Sequence, residues 1–247
     1  MDNMIYTAMT GASHVLEMQA NTANNLANLS TTGFRAQIDT FRAVPVLGSG
    51  LPTRTFVAAS TVGTDFSPGP MQQTGNSLDV AVQGSGWIAV DMGDGTQAYT
   101  RNGSLKINEN GLLQTQSGQN VVGIDDGPIT VPPNEQVTIG TDGTVSSIPT
   151  TGVLSSVSML GQIKLVNPPE ATLVRGDDGY FRTRNGKPAP VDPSVTVEDG
   201  AVEGSNVSAV SAMVDMISLG RQFEMQMKLL TNAENNDMKA SGFMTLV

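Results

Sequence analysis

The side chains that could carry chemistry are few, and each has a competing structural use. The single histidine, His14, lies in a stretch free of proline. A nucleophilic triad would need a serine within hydrogen-bond reach of that ring and an acid behind it, and no G-x-S-x-G elbow offers such a serine. Gly48-Ser49-Gly50 and Gly84-Ser85-Gly86 are loop signatures instead. Two carboxylate pairs, Asp125-Asp126 and Asp177-Asp178, raise the question of glycosidase chemistry. Neighbours in a strand point to opposite faces, so neither pair converges on one bond. Each is followed by glycine, and Asp-Gly is turn chemistry. Gly84-x-Gly86 lacks the third glycine and the helix of a dinucleotide site, because Trp87-Ile88-Ala89-Val90 continues as a strand pattern. No P-loop or calcium-loop spacing occurs. With Cys at 0, thiolate metal sites and disulfides are excluded. The reading is no catalytic residue, no cofactor and no metal.

The elements that would have to position a site point to assembly. Ile5, Ala8, Ala12, Val15, Gln19, Thr22, Leu26 and Leu29 alternate spacings of three and four, a seam resembling a coiled coil. A helix over this span would be roughly 40 Å long, closing at Ser30-Thr31-Thr32 with Gly33 as its left-handed cap residue. Met213, Met216, Gly220, Phe223, Met227 and Leu230 repeat the alternation near the C-terminus, with Asn206 or Ser208 as N-cap. Asn21, Asn24, Asn25 and Asn28 crowd one face of the first helix although asparagine is a poor helix former. Buried amides of this kind can fix register between helices.

The middle is punctuated differently. Asp-Gly at 94–95, 126–127, 142–143, 178–179 and 199–200, and Asn-Gly at 102–103, 110–111 and 185–186, mark turns between short β-type runs. Those runs are 78–82, 87–91, 97–101, 104–108, 112–116, 136–139 and 161–166. Pro45, Pro52, Pro68 and Pro70 mark one connector, and Pro188, Pro190 and Pro193 another. The expected fold is α+β: long N- and C-terminal helices pair as an inner coiled-coil-like layer, with an inserted antiparallel β domain and extended connectors. The divisions are 1–32 (helix), 33–70 (connector), 71–185 (β domain), 186–205 (return connector) and 206–247 (helix). Trp87 is the expected core anchor of the β domain.

Composition narrows the classes. Aromatics are 4%, Gly 27 and Met 13, too little aromatic volume for one large core. The net charge of −10 argues against nucleic acid, which needs a positive surface. No window approaches the roughly 18 apolar residues of a membrane span, and Met1-Asp2-Asn3-Met4-Ile5-Tyr6 lacks the basic and apolar regions of a secretory signal.

Three segments carry a family resemblance. Asn25-Leu26-Ala27-Asn28 followed by Thr32-Gly33-Phe34-Arg35 resembles the N-terminal signature of the flagellar rod and hook proteins. Leu78-Asp79-Val80-Ala81-Val82 through Gly86-Trp87, then Tyr99-Thr100-Arg101-Asn102-Gly103, is similar to that family's central β region. Glu203-Gly204-Ser205-Asn206-Val207 resembles its C-terminal signature. Length excludes the longer hook protein, while Met1-Asp2, Ile5-Tyr6-Thr7-Ala8-Met9 and the segment Arg221 to Lys228 look most like the proximal rod members, the distal rod protein differing at that late segment.

The resemblance implies a structural subunit of the proximal rod, helices inside and β domain outside, transmitting torque around an export channel. Implied partners are other copies of itself, other proximal rod proteins, the distal rod protein and, during secretion without a cleaved signal, the flagellar export apparatus. The implied location is the basal body within the periplasm. The expected assembly residues are Ile5, Ala12, Val15, Asn24, Asn25, Leu26, Asn28, Met213, Met216, Phe223, Met227 and Leu230. Gly33, Phe34, Glu203, Gly204, Ser205 and Asn206 are the signature residues. A distal rod protein, or another secreted fibre or adhesin subunit, is the alternative, and a polysaccharide hydrolase the rival from a different class.

Overall fold

The computed structural model describes residues 2–45, 55–59, 63–149 and 157–244. Pro52 and the Gly48-Ser49-Gly50 loop lie outside the described residues. The chain is α+β and divides into two units. One holds residues 1–29, 36–65 and 207–247, and the other holds residues 30–35 and 66–206.

In the first unit, helix α1 (Asp2–Ala27) lies along helix α2 (Ala209–Met244). Ser208 starts α2, its hydroxyl accepting the Ser211 N–H at 3.4 Å, the third-residue pattern of an N-cap. On α1 the buried positions Ala8, Ala12 and Val15, with half-buried Ile5, Gln19, Thr22 and Leu26, follow the alternation of threes and fours. Leu29 falls past the helix end and is exposed. On α2 the inward positions Ala209, Ala212, Met216, Leu219, Phe223, Gln226, Leu230 and Ala233, all buried or half-buried, again alternate threes and fours. This seam shares Met216, Phe223 and Leu230 with the predicted one. The other predicted positions are one residue off. Met213 and Met227 are exposed in this chain, while Ala212 and Gln226 take the seam positions beside them. Leu219 is buried beside the predicted Gly220, which is half-buried. Small residues allow close approach here, and a Cβ on Gly11 would meet the Gln226 amide nitrogen at 3.2 Å.

The expected connector over 33–70 contains paired strands. Gln37–Ile38 pairs with Gly63–Thr64, and Phe41–Pro45 with Thr55–Ala59, both antiparallel. Pro45 is the last residue of its strand, opposite Thr55.

The second unit is the antiparallel β body. Its largest sheet runs in the order Leu173–Arg175, Phe181–Thr183, Gln97–Thr100, Trp87–Asp91, Asn120–Val121, Leu113–Thr115, Leu105–Ile107, with Leu165–Val166 also pairing Trp87–Asp91. A three-stranded sheet joins Glu135–Ile139, Thr144–Pro149 and Ser158–Gln162. The expected run 161–166 is thus divided between two sheets.

The strand Trp87–Asp91 is apolar on both faces because both are covered. Ile88 packs with Val80, Leu113, Val121, Ile163 and Leu165 on one side. Trp87 and Ala89 pack with Tyr99, Val166, Phe181 and Phe66 on the other. The Trp87 and Phe181 ring centroids are 4.6 Å apart. Each fully buried Val, Leu or Ile here contributes roughly 1.5–3 kcal/mol.

The expected return connector over 186–205 also carries strands. Thr196–Asp199 pairs with Val80–Gln83, and Ala201–Glu203 pairs with Met71–Gln73. Of the eight turn dipeptides, six place their glycine at positive φ, as Gly179 does at 83°. Asp126-Gly127 inverts the pattern, for Asp126 itself takes φ 60°.

Candidate functional site

Three of the candidate catalytic groups, His14, Asp126 and Asp178, each have partners of their own. The His14 ring meets Phe41 edge-on at 5.9 Å, and its Nδ1 lies 3.2 Å from Glu17 Oε2 on the next helical turn. Asp178 forms an ion pair with Arg182 at 2.6 Å, which lowers its carboxyl pKa. Asp126 Oδ1 accepts Lys164 Nζ at 2.5 Å and Gln97 Nε2 at 2.8 Å. The Lys164 bond is the main cause of its depressed pKa. Lys164 is buried, so Asp126 serves as the counter-ion of an interior ammonium as well as a turn residue. Among the described residues, no cluster of three or more His, Asp or Glu could hold a metal ion, and no helix is long and apolar enough to cross a membrane.

On the helices, the expected assembly residues fall into two sets. Ala12 and Val15 are buried, and Ile5, Leu26, Met216, Phe223 and Leu230 half-buried, along the α1–α2 seam. Met213 and Met227 face outward. The asparagine face is divided. Asn25 Nδ2 donates to the Gln37 carbonyl at 2.9 Å, and its Oδ1 accepts the Gln37 N–H at 2.8 Å. Asn21 Nδ2 donates to Asp39 Oδ1. These two asparagines anchor the strand after α1 rather than a neighbouring helix. Asn28 Nδ2 returns to the Asn24 carbonyl at 2.9 Å, a local helix-end bond, and the Asn24 side chain is exposed.

The exposed positions of both helices are also apolar in part. On α1, Tyr6, Met9 and Leu16 are about half exposed, and exposed Ala20 continues their spacing, with the small polar Ser13 between them. On α2, Val210, Met213, Val214 and Ile217 form an i, i+3, i+4, i+7 stripe, each more than half exposed. Each helix therefore carries a second, largely apolar stripe besides its seam.

In the β unit the signature residues, far apart in sequence, meet at one place. The Gly33 N–H donates to the Glu203 carbonyl at 2.7 Å, and the Asn206 N–H donates to the Phe34 carbonyl at 3.3 Å. The Gly204 N–H donates to the Pro70 carbonyl at 2.8 Å, and Asn206 Nδ2 to the Ser67 carbonyl at 3.0 Å. Gly33 is not the helix cap that its position suggests, since α1 ends at Ala27. Its φ is 68°, and a Cβ there would stand 2.3 Å from the Asn102 nitrogen. Glycine is required twice over, by conformation and by space.

At the centre lies a buried ionic triad. Glu203 is 1% exposed, Arg35 1% and Arg101 4%. Arg35 Nη2 approaches Glu203 Oε1 to 2.8 Å, though off the hydrogen-bonding direction, and Arg101 Nη1 donates to Oε2 at 3.0 Å. Arg35 Nη1 also donates to the Ser67 carbonyl. Burial pulls the Arg101 guanidinium's pKa down; Glu203 opposes this, and neighbouring Arg35 adds to it. Around the triad, the Arg101 guanidinium lies 5.4 Å from the Trp87 ring centre. That of Arg175 lies 4.5 Å from the Phe34 ring centre, and Arg175 Nη1 donates to the Arg35 carbonyl at 2.8 Å. Arg35 and Arg101 stand within the signature segments, but sequence reasoning assigns neither a role in the site, because nothing in the local sequence marks an arginine as buried.

The chain matches three family descriptions over the same segments. Residues 5–35 match the flagella basal body rod protein family. Residues 81–147 match the D1 domain of flagellar hook protein FlgE/F/G, and residues 198–242 the C-terminal part of flagellar basal body rod FlgEFG proteins. Over the full length of both chains it is 47% identical to the flagellar basal-body rod protein FlgF of Escherichia coli (strain K12). The chain belongs to the flagellar basal-body rod protein family, of the FlgF type. The corresponding protein of Salmonella typhimurium is 45% identical, again over the whole of both chains. A rod protein of the FlgG type, from Agrobacterium fabrum, is 33% identical over 86% of this chain and 88% of its own length. This FlgF-type rod protein is a structural subunit of the flagellar basal body. Its triad residues Arg35 and Glu203 fall within the two terminal family matches, and Arg101 within the central one.

Proposed function

We propose that this chain is a proximal-rod subunit, without enzymatic activity, that joins copies of itself and other rod proteins through the outer stripes of α1 and α2. The observation that carries the reading is the second apolar stripe on each helix. One stripe of α2 faces α1, yet Val210, Met213, Val214 and Ile217 remain 53–74% exposed on its other side. A helix apolar on two sides is built to be buried on two sides. The contact joins unlike surfaces head to tail, which gives an open helical array rather than a closed dimer. Many modest contacts then hold each subunit.

In this reading α1 and α2 form a coiled-coil-like inner layer around the export channel. The distal rod protein is a further neighbour, and the export apparatus secretes the chain without a cleaved signal. Rotation of the motor is passed along the rod as mechanical load, and motility depends on it. The rival hydrolase reading has no support from Asp126 and Asp178, which are separately engaged in ion pairs.

Leu16→Glu with Val214→Glu tests the proposal, since both residues are exposed within the chain. The purified double variant should melt like the parent, while a strain carrying it in place of the normal gene should lack rods and not swim. Normal swimming with full-length rods would overturn the reading.

A further inference from the structure

The chain passes between its two units at four places: between residues 29 and 30, 35 and 36, 65 and 66, and 206 and 207. Within the β unit, one residue is bonded to every stretch that arrives from those crossings. The Glu203 carbonyl accepts the Gly33 N–H at 2.7 Å, which holds the stretch 30–35. Its Oε1 accepts the Gly69 N–H at 2.8 Å, which holds the stretch beginning at Phe66, and also contacts Arg35. Glu203 itself stands on the stretch that leaves at Asn206. Its Oε2 takes Arg101, whose Nη1 and Nη2 are fixed to the body of the unit by the Val82 and Gly84 carbonyls at 3.2 and 2.6 Å.

The charges are unbalanced. Two buried guanidiniums face one buried carboxylate, and among the described residues no second acid is paired with either arginine. The Nε–H groups of Arg35 and Arg101 have no hydrogen-bond partner. Breaking a buried ionic cluster by removing one partner is far costlier than the cluster's net worth, because the charges left behind stay desolvated. The Arg101 guanidinium is held by framework carbonyls, whereas that of Arg35 donates to Ser67, itself on a linking stretch, and Arg35 ends a six-residue stretch, Ser30–Arg35, that leaves the unit at both ends. Arg35 is therefore the charge that can escape to water.

We propose that Glu203 is an electrostatic latch: its carboxylate holds the linking stretches to the β framework, and losing that charge releases them locally, with Arg35 expelled, while the framework stays folded. The latch is a property of the single chain, so its test is independent of the rod reading. Only its use, stiffening the stretches along which load must pass between the units, rests on that reading.

Amide hydrogen exchange on the full-length monomer decides the matter. Glu203→Gln keeps the shape and removes the charge. The Gly33 and Gly69 amides should then lose protection on the order of a hundredfold. The Ala89 amide, bonded to the Lys164 carbonyl at 3.0 Å in the sheet, should lose less than about tenfold. Combining Glu203→Gln with Arg35→Met removes the stranded charge as well and should restore Gly69 protection at least about tenfold over the single variant. If Ala89 loses protection in step with Gly33 and Gly69, Glu203 is an ordinary core residue and the latch is refuted. If the double variant is no better than the single, hydrogen bonding rather than charge holds the stretches, and the electrostatic latch is equally refuted.

Discussion

Replacing Asp126 by Asn should cost the β unit about 1–2 kcal/mol at neutral pH and nothing in strong acid. Asp126 sits at φ 60°, where Asn is tolerated as Asp is, so the exchange leaves the turn alone. What changes is the charge facing Lys164. At an effective dielectric of about 20, unit charges about 4 Å apart attract by about 4 kcal/mol. The Lys164 side chain is 5% exposed but that of Asp126 is 61% exposed, so water screens much of this. Fully exposed pairs retain about 0–1 kcal/mol, and hydrogen bonds to charged groups net about 1.5–3 kcal/mol. A pair with one partner in each environment falls between those ranges. The Lys164 hydrogen bond, seconded by Gln97, holds the Asp126 carboxyl below its ordinary range. A depressed carboxyl contributes stability above its unfolded pKa of about 3.9, and that stability disappears as pH falls through the lower folded value. Parent and variant should differ at neutral pH and converge in acid. Urea unfolding followed by the fluorescence of Trp87, the only tryptophan and a buried one, reads this unit directly. Equal stability at neutral pH, or a difference that persists unchanged in strong acid, would refute the counter-ion role.

Three further outcomes follow from the same structure. Asn25→Ala should destabilise the helix–strand unit by about 1–3 kcal/mol, since two bonds to Gln37 are lost, whereas Asn24→Ala should be nearly neutral in the monomer; thermal melting compares them. Gly179→Val should be worse than Gly127→Val, because only Gly179 has positive φ while neither would bring its Cβ against a neighbour; the expected gap, about 1–2 kcal/mol, is measured by the same urea titration. Gly33→Ala should open the stretch 30–35 to limited proteolysis, because the added methyl meets the Asn102 backbone, which cannot swing aside.

The strand Trp87–Asp91 was legible in sequence to the residue because its apolar run is continuous. The strands Leu173–Arg175 and Ala201–Glu203 were not, for such strands depend on their partners for identity. The α2 seam illustrates a different limit. Two alternations of threes and fours share Met216, Phe223 and Leu230, and the more hydrophobic one, through Met213 and Met227, reads as the contact. In the fold Ala212, Leu219 and Gln226 of the other alternation lie inward, Gln226 against Gly11, and those methionines stay outside. The signature residues could be named from resemblance, but their meeting around Glu203 could not. A buried arginine carries no mark in its neighbours, and its partners come from three separated stretches.

The strands that close the β unit come last in the chain. Thr196–Asp199 lies beside Val80–Gln83 and Ala201–Glu203 beside Met71–Gln73, and the Gly69–Glu203 bond joins residues 134 positions apart. Pairings of such high contact order are slow to form, since a long loop must close before any ladder bond rewards it. Until then the early strands present unpaired N–H and C=O groups along open edges, which accept strands from any chain nearby. A chain cut before Thr196 would keep the largest sheet but leave Val80–Gln83 and Met71–Gln73 without their partner strands, so such fragments should associate through those two strands.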